Sequence, residues 1–235
     1  PFSIIEADVE VGDGTSIGSH VVIGSNTRIG RDNRIWQFAS IGAAPQDKKF
    51  HGERSRLEIG DRNVIREFVT FNRGTEDGGG LTRIGNDNWL MAYVHIAHDC
   101  TVGNNTIFSN AASLAGHVSV DDWVILGGFT LVHQFCQVGS HAFTAMGAII
   151  NRDVPPYVTV AGSFAEPKGI NSEGLRRRGY SNDRIMAIKR AYRTLYTSGL
   201  PLAEARSELA RAAEGAPDVK LLPAFIVRSQ RLLVR

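Results

Sequence analysis

One period dominates this chain. From Ile5, steps of six meet Val11, Ile17, Ile23, Ile29, Ile35 and Ile41. A second register gives Ile59, Ile65 and Phe71. A third starts at Ile84 and passes Leu90, Ile96, Val102, Phe108, Leu114, Val120, Leu126, Val132, Val138 and Thr144 to reach Ile150. Every position so defined is apolar except Thr144. The whole chain is 43% hydrophobic, so chance would leave more than half of these positions polar. A short fixed period of this kind marks a repeat architecture.

Each hexad reads as a short strand and a bend, with its apolar residue pointing inward. A small residue often follows, as at Gly12, Gly60 and Gly103, and lets the backbone turn. A single coil cannot bury its own face, so coils must stack, with strands ~4.8 Å apart. The spacing does not fix the handedness. The pattern resembles the left-handed parallel β-helix of the hexapeptide acyltransferases. That resemblance implies three hexads per coil and a winding opposite to the usual crossover.

The period fails twice. Between Ile41 and Ile59 lies a charged stretch that includes Pro45, Gln46, Asp47, Lys48, Lys49 and Phe50. Between Phe71 and Ile84 the spacing is seven residues longer than a hexad and contains Gly78-Gly79-Gly80. Solenoids extrude loops at their corners, and such loops often carry function. The repeat ends at Asp153-Val154-Pro155-Pro156, and a helical period follows. Ser181 can cap a helix with Ile185, Ile188, Tyr192 and Leu195 on one face. A second helix is expected after Pro201 with Leu202, Ala205, Leu209 and Ala212, and a third after Pro217. The expected division is a β-helix over 1–155, with loops near 43–58 and 74–83, and a C-terminal α-helical domain over 156–235.

Net charge is only +2, which gives no global argument for nucleic acid or a membrane surface. No apolar run reaches transmembrane length. Cys100 and Cys136 fall inside the repeat and read as buried free thiols, which suits a reducing cytoplasm. The chain opens at Pro1, already within the repeat, so its native amino terminus is expected upstream.

Four of the seven histidines, His95, His98, His117 and His133, fall close together. Folded onto coils of three hexads, His98 stacks under Gly116-His117, and these under His133-Gln134. Asn72 falls one coil below Ala97-His98 once the loop is subtracted. A column of imidazoles suits a metal such as zinc or general-base chemistry near neutral pH. Geometry from the spacing alone leaves both open.

Several stretches, taken together and in order, resemble one family closely. They are IGRDNRIWQFASIG, PQDKKF, IREFVTFNRGTEDGGGLTRIG, HIAHDCTVGN, LAGHVSVDDW, VHQFC, DVPPYV and GINSEGLRRRGYS. The family is the UDP-N-acetylglucosamine 3-O-acyltransferases of lipid A biosynthesis, and the resemblance spans essentially the whole chain. It implies that an acyl carrier protein delivers a 3-hydroxyacyl thioester to the sugar 3-hydroxyl. It implies His98 as the general base, Asp99 as its partner and the Gly116 N–H as oxyanion donor. Gln46, Asp47 and Lys49 match contacts to sugar and phosphates. His95 and His117 match sugar-side contacts, and His133 and Gln134 match contacts toward the nucleotide. Asn171, Glu173, Arg177 and Arg178 match a nucleotide-binding set. Asn72 stands where many relatives carry His, so it can hydrogen-bond there but not titrate. Met146, with Phe143, falls where the family limits acyl length, which implies a decanoyl-like chain. The resemblance also implies a homotrimer and no cofactor, the donor bringing its own phosphopantetheine. The competing readings are a γ-carbonic-anhydrase-like zinc enzyme, an acetyl-CoA-dependent sugar acetyltransferase and a bare scaffold solenoid.

Overall fold

The computed structural model describes residues 1–235. Strands of two to four residues pair in parallel into three sheets, which form the walls of a three-sided prism. The register is the one that the hexads imply. Ile5, Ile23, Ile41, Phe71, Ile96, Leu114, Val132 and Ile150 stand in line up the first sheet. The inward residues of all three sheets form one continuous apolar core. Ile5 and Val11 lie at the open end of the stack and are exposed.

Thr144, the polar exception, is fully buried. Its hydroxyl lies 2.6 Å from Thr130 Oγ1 and accepts the Gly127 N–H at 2.9 Å. A buried hydroxyl is tolerated when it is so partnered. At another corner Asn33, Asn63 and Asn88 form a buried ladder. Each side-chain oxygen accepts a backbone N–H from the next coil, the last from Thr106.

Both extrusions leave the same edge. The first connects Ser40–Ala43 of the first sheet to Arg56–Ile59 of the second. The next connects Thr70–Asn72 to Leu81–Ile84, through a 3-10 turn at Glu76–Gly78. The strands therefore reclaim the last residues of the loops expected at 43–58 and 74–83.

The third sheet runs on past the expected boundary at 155/156. Val158–Ala161 continues the third sheet, pairing with Phe143–Thr144, and Glu166–Ile170 returns antiparallel. Thr144 aligns with Val160, so this coil is two residues short and steps of six miss it. Helices begin only at α1 (Ser172–Arg177), followed by α2 (Asn182–Tyr196), α3 (Leu202–Gly215) and α4 (Leu221–Arg228). The Ser181 side chain accepts the Arg184 N–H at the start of α2, as a helix cap should. Ile185, Ile188, Ala191 and Leu195 of α2 join Ala205, Leu209, Leu222 and Phe225 in a second apolar cluster. Tyr192 instead packs against the solenoid core. On α3, Ala213 rather than Ala212 packs against that second cluster. No helix is long and apolar enough to cross a membrane.

Candidate active site

Neighbours along a strand point to opposite faces, yet His98 and Asp99 meet. They lie beyond the end of the strand His95–Ile96, and Asp99 has φ 60°, in the left-handed region. His98 Nδ1 is 2.8 Å from Asp99 Oδ2. The Asp99 side chain is 1% exposed and that of His98 14%. Asp99 is held from the second extrusion, where the Thr75 N–H donates to Oδ1 at 2.8 Å and the Thr75 hydroxyl to Oδ2 at 2.6 Å. The Asp99 N–H donates to Thr82 Oγ1 at 2.8 Å.

One coil up, Gly116 lies over the imidazole, close to Cε1 and Nε2 of His98. The Gly116 N–H donates to no backbone or side-chain acceptor. His117 presents its ring edge to His98 at 5.1 Å, with Nε2 3.8 Å from Asp99 Oδ2, and stacks on Phe135 at 4.4 Å. His95 Nδ1 lies 2.7 Å from Thr70 Oγ1, and burial lowers the affinity of its ring for a proton. His133 and Gln134, next up the column, are exposed. The Gln134 carbonyl accepts from the Arg231 guanidinium of the C-terminal tail at 3.2 Å.

Below the pair, Asn72 is buried and donates to the Ala44 carbonyl at 3.0 Å, anchoring the first extrusion. Asp47 and Lys49 line a groove that is closed on its other side by Thr75, Glu76 and Asp77, so the two extrusions meet. Gln46 is exposed at its start.

The remaining predicted residues lie elsewhere on the chain. Asn171 caps α1 and donates to the His141 carbonyl at 3.0 Å. Arg178 donates to His141 Nδ1 at 3.0 Å and to the Trp123 carbonyl at 2.8 Å, and its guanidinium lies over the Trp123 ring. Burial, reinforced by Arg178, pushes His141 down to about 4, so its ring is the acceptor. Glu173 pairs with Arg176 and Arg177. Trp123, Asn171, Glu173, Arg177, Arg178 and Phe143 line a groove of about 620 Å³ on the third sheet, by its edge with the second. Met146 is 78% exposed on the edge between the third and first sheets. Within one chain, then, the histidine column, the Asn171–Arg178 set and Met146 occupy three different edges. No motif in the sequence pointed to Thr75, Thr82, Trp123, His141 or Arg231, although stepping 18 residues from Trp123 reaches His141.

His98, Asp99 and His117 offer ligand atoms within 4.8 Å of one another. Both Asp99 oxygens are already engaged by Thr75, which fits a hydrogen-bonded base better than a metal ligand. The thiols of Cys100 and Cys136 are buried and pushed up to about 12 and about 11, so neither supplies a nucleophile.

Residues 8–43 and 81–116 match the model of the bacterial transferase hexapeptide repeats. Residues 153–234 match that of the UDP-N-acetylglucosamine O-acyltransferase second domain. The acyl-[acyl-carrier-protein]–UDP-N-acetylglucosamine O-acyltransferase of Janthinobacterium sp. (strain Marseille) is 61% identical over 87% of this chain and 79% of its own length. The chain belongs to the UDP-N-acetylglucosamine O-acyltransferase family. It is therefore an O-acyltransferase. The family enzyme of Herminiimonas arsenicoxydans is 56% identical across 100% of this chain and 96% of its own. The crystal structure of the Francisella novicida UDP-N-acetylglucosamine acyltransferase superposes with a TM-score of 0.98 at 43% identity, covering 100% of this chain and 86% of that one.

Proposed function

We propose that this chain transfers a 3-hydroxyacyl group from acyl carrier protein to the 3-hydroxyl of UDP-N-acetylglucosamine, the first step of lipid A biosynthesis. The observation that carries the reading is the His98–Asp99 pair beneath the Gly116 N–H. Asp99 accepts hydrogen bonds from Thr75 and accepts from Nδ1–H of His98, which leaves Nε2 as the base. Nε2 takes the proton of the sugar hydroxyl as its oxygen attacks the thioester carbonyl. The carbonyl oxygen gains negative charge and accepts from the Gly116 N–H. Collapse of the tetrahedral intermediate breaks the carbon–sulfur bond. The departing thiolate recovers the proton from the imidazolium, giving the ester and the free carrier thiol. No cofactor enters, because the donor's phosphopantetheine arm arrives with the carrier.

Asp47, Lys49, His95 and His117 bind the sugar side, and Asn171, Glu173, Arg177 and Arg178 the nucleotide. A homotrimer of left-handed prisms would bring edges of neighbouring chains together, which accounts for the separation of these sets within one chain. Met146 then limits the acyl chain to a decanoyl-like length.

The test is acyl transfer to UDP-N-acetylglucosamine from a panel of 3-hydroxyacyl carrier proteins, with wild type beside His98→Ala. The variant is expected to lose on the order of 10²–10⁴ in turnover while staying folded. Wild-type turnover in His98→Ala would overturn the base assignment. Stoichiometric zinc in active protein would favour the γ-carbonic-anhydrase-like zinc enzyme, and transfer from acetyl-CoA alone a sugar acetyltransferase. A monomer by light scattering would sink the trimer.

A further inference from the structure

The extrusion between Phe71 and Ile84 breaks the hexad on the edge that carries His98, one coil below it. Its conformation is built around one carboxylate. Thr75 is buried, with its N–H on Asp99 Oδ1 and its hydroxyl on Oδ2. Thr75 Oγ1 in turn accepts the Gly78 N–H at 3.3 Å, which starts the 3-10 turn. A Cβ on Gly78 would overlap the Asp99 carboxyl group, and one on Gly74 would lie 2.8 Å from Oδ1. Both glycines are bare where the loop closes over Asp99.

We propose that Thr75 is a positioning residue for the acyl transfer, acting on His98 through Asp99. The inference rests on His98 being the base. A carboxylate has about four lone-pair sites, and its terminal torsion is broad and roughly two-fold. The Thr82 hydroxyl, on the strand one coil below, holds the Asp99 backbone but not its carboxyl plane. Thr75 supplies one donor to each oxygen and so fixes that plane, which leaves Oδ2 aimed at His98 Nδ1. Without the hydroxyl the carboxylate can rotate, and the imidazole loses the acceptor that sets its tautomer and its aim. At the equivalent corners one and two coils higher, His117 and Phe135 carry no carboxylate to hold.

The experiment compares Thr75→Val, Thr75→Ser, Asp99→Ala and the Thr75→Val/Asp99→Ala double variant in steady-state acyl transfer, with a thermal melt of each. Thr75→Val is expected to lower kcat about tenfold to a hundredfold and to leave KM for UDP-N-acetylglucosamine within about twofold. Thr75→Ser restores kcat. In the Asp99→Ala background Thr75→Val has no further effect, because the group it acts through is gone. Gly78→Ala, which displaces the same carboxylate while keeping both Thr75 donors, gives a matching loss of kcat. Wild-type kcat in folded Thr75→Val overturns the proposal. So does an equal loss in both backgrounds, or a failure of serine to restore turnover, since either marks a merely structural threonine. If His98→Ala is inactive while Thr75→Val is fully active, only this inference falls. If His98→Ala is itself active, the base reading falls with it.

Discussion

The Cβ that Gly116 lacks would fall 2.6 Å from Cε1 and 2.7 Å from Nε2 of His98. The imidazole occupies the space that any other residue would fill, so the glycine and the histidine form one unit across two coils. Gly116 is not in the left-handed region, so alanine meets no backbone penalty there. Gly116→Ala is therefore expected to displace the His98 imidazole without unfolding the coil. Turnover should fall by about a hundredfold while the melting temperature stays close to that of wild type. Steady-state kinetics beside a thermal melt would check this, and wild-type turnover would show that the ring can give way.

Thr144 yields a stability prediction. Thr144→Val would leave the buried Thr130 hydroxyl without its partner, 2.6 Å away in wild type. A buried polar group so orphaned costs about 1–3 kcal/mol. Replacing Thr130 by valine as well removes the orphan, so the double variant should recover much of the loss. Urea unfolding of the two single variants and the double would measure the coupling, and strict additivity would count against it.

His141 predicts a pH dependence. Its ring stacks between Trp123 and Tyr157 and accepts from Arg178. Burial and Arg178, with a smaller push from Arg184, outweigh the pull of Asp218 and Asp122 and hold it at about 4 against an ordinary 6.5. Between those values the unfolded chain binds a proton that the folded chain refuses. Stability therefore falls as pH drops from about 6.5 to about 4, by at most about 3 kcal/mol from this residue. His141→Phe should lose less stability than wild type between pH 7 and pH 4.5, and should raise KM for the sugar nucleotide because Arg178 loses its acceptor. Identical pH slopes in urea unfolding would rule out His141 as the source.

What was legible in the sequence follows from what a period can encode. The hexad fixed the inward face and the register, because side-chain direction and strand stacking are periodic. It therefore placed His98, Gly116 and Gln134 on one edge. It could not show that Asp99 turns back onto His98, since that depends on a left-handed corner residue. Thr75 escaped because an extruded loop has no period, and its shape is set by a hydrogen bond to a residue 24 positions away. The last coil was missed because only four positions separate Ile150 from Val154, two fewer than a hexad, so the count of six loses step. Register along one edge also says nothing about another edge. The sequence joined Arg178 and Met146 to the His98 site by resemblance alone, and a single chain keeps the three apart.

Met146 gives the sharpest test of that separation. The residue is 78% exposed. One coil below, a Cβ on Gly128 would stand at ordinary van der Waals distance, 4.0 Å, from Met146 Cγ. It can limit an acyl chain only if a neighbouring subunit closes over it. Each methylene that then fits is worth about 0.8 kcal/mol, or about fourfold in relative kcat/KM per methylene. Met146→Gly should therefore shift donor preference toward longer 3-hydroxyacyl chains, with little change in KM for UDP-N-acetylglucosamine and none in thermal stability. Competition between medium and long 3-hydroxyacyl carrier proteins would measure it. An unchanged preference in an active trimer would mean that Met146 does not touch the chain, and that another residue sets its length.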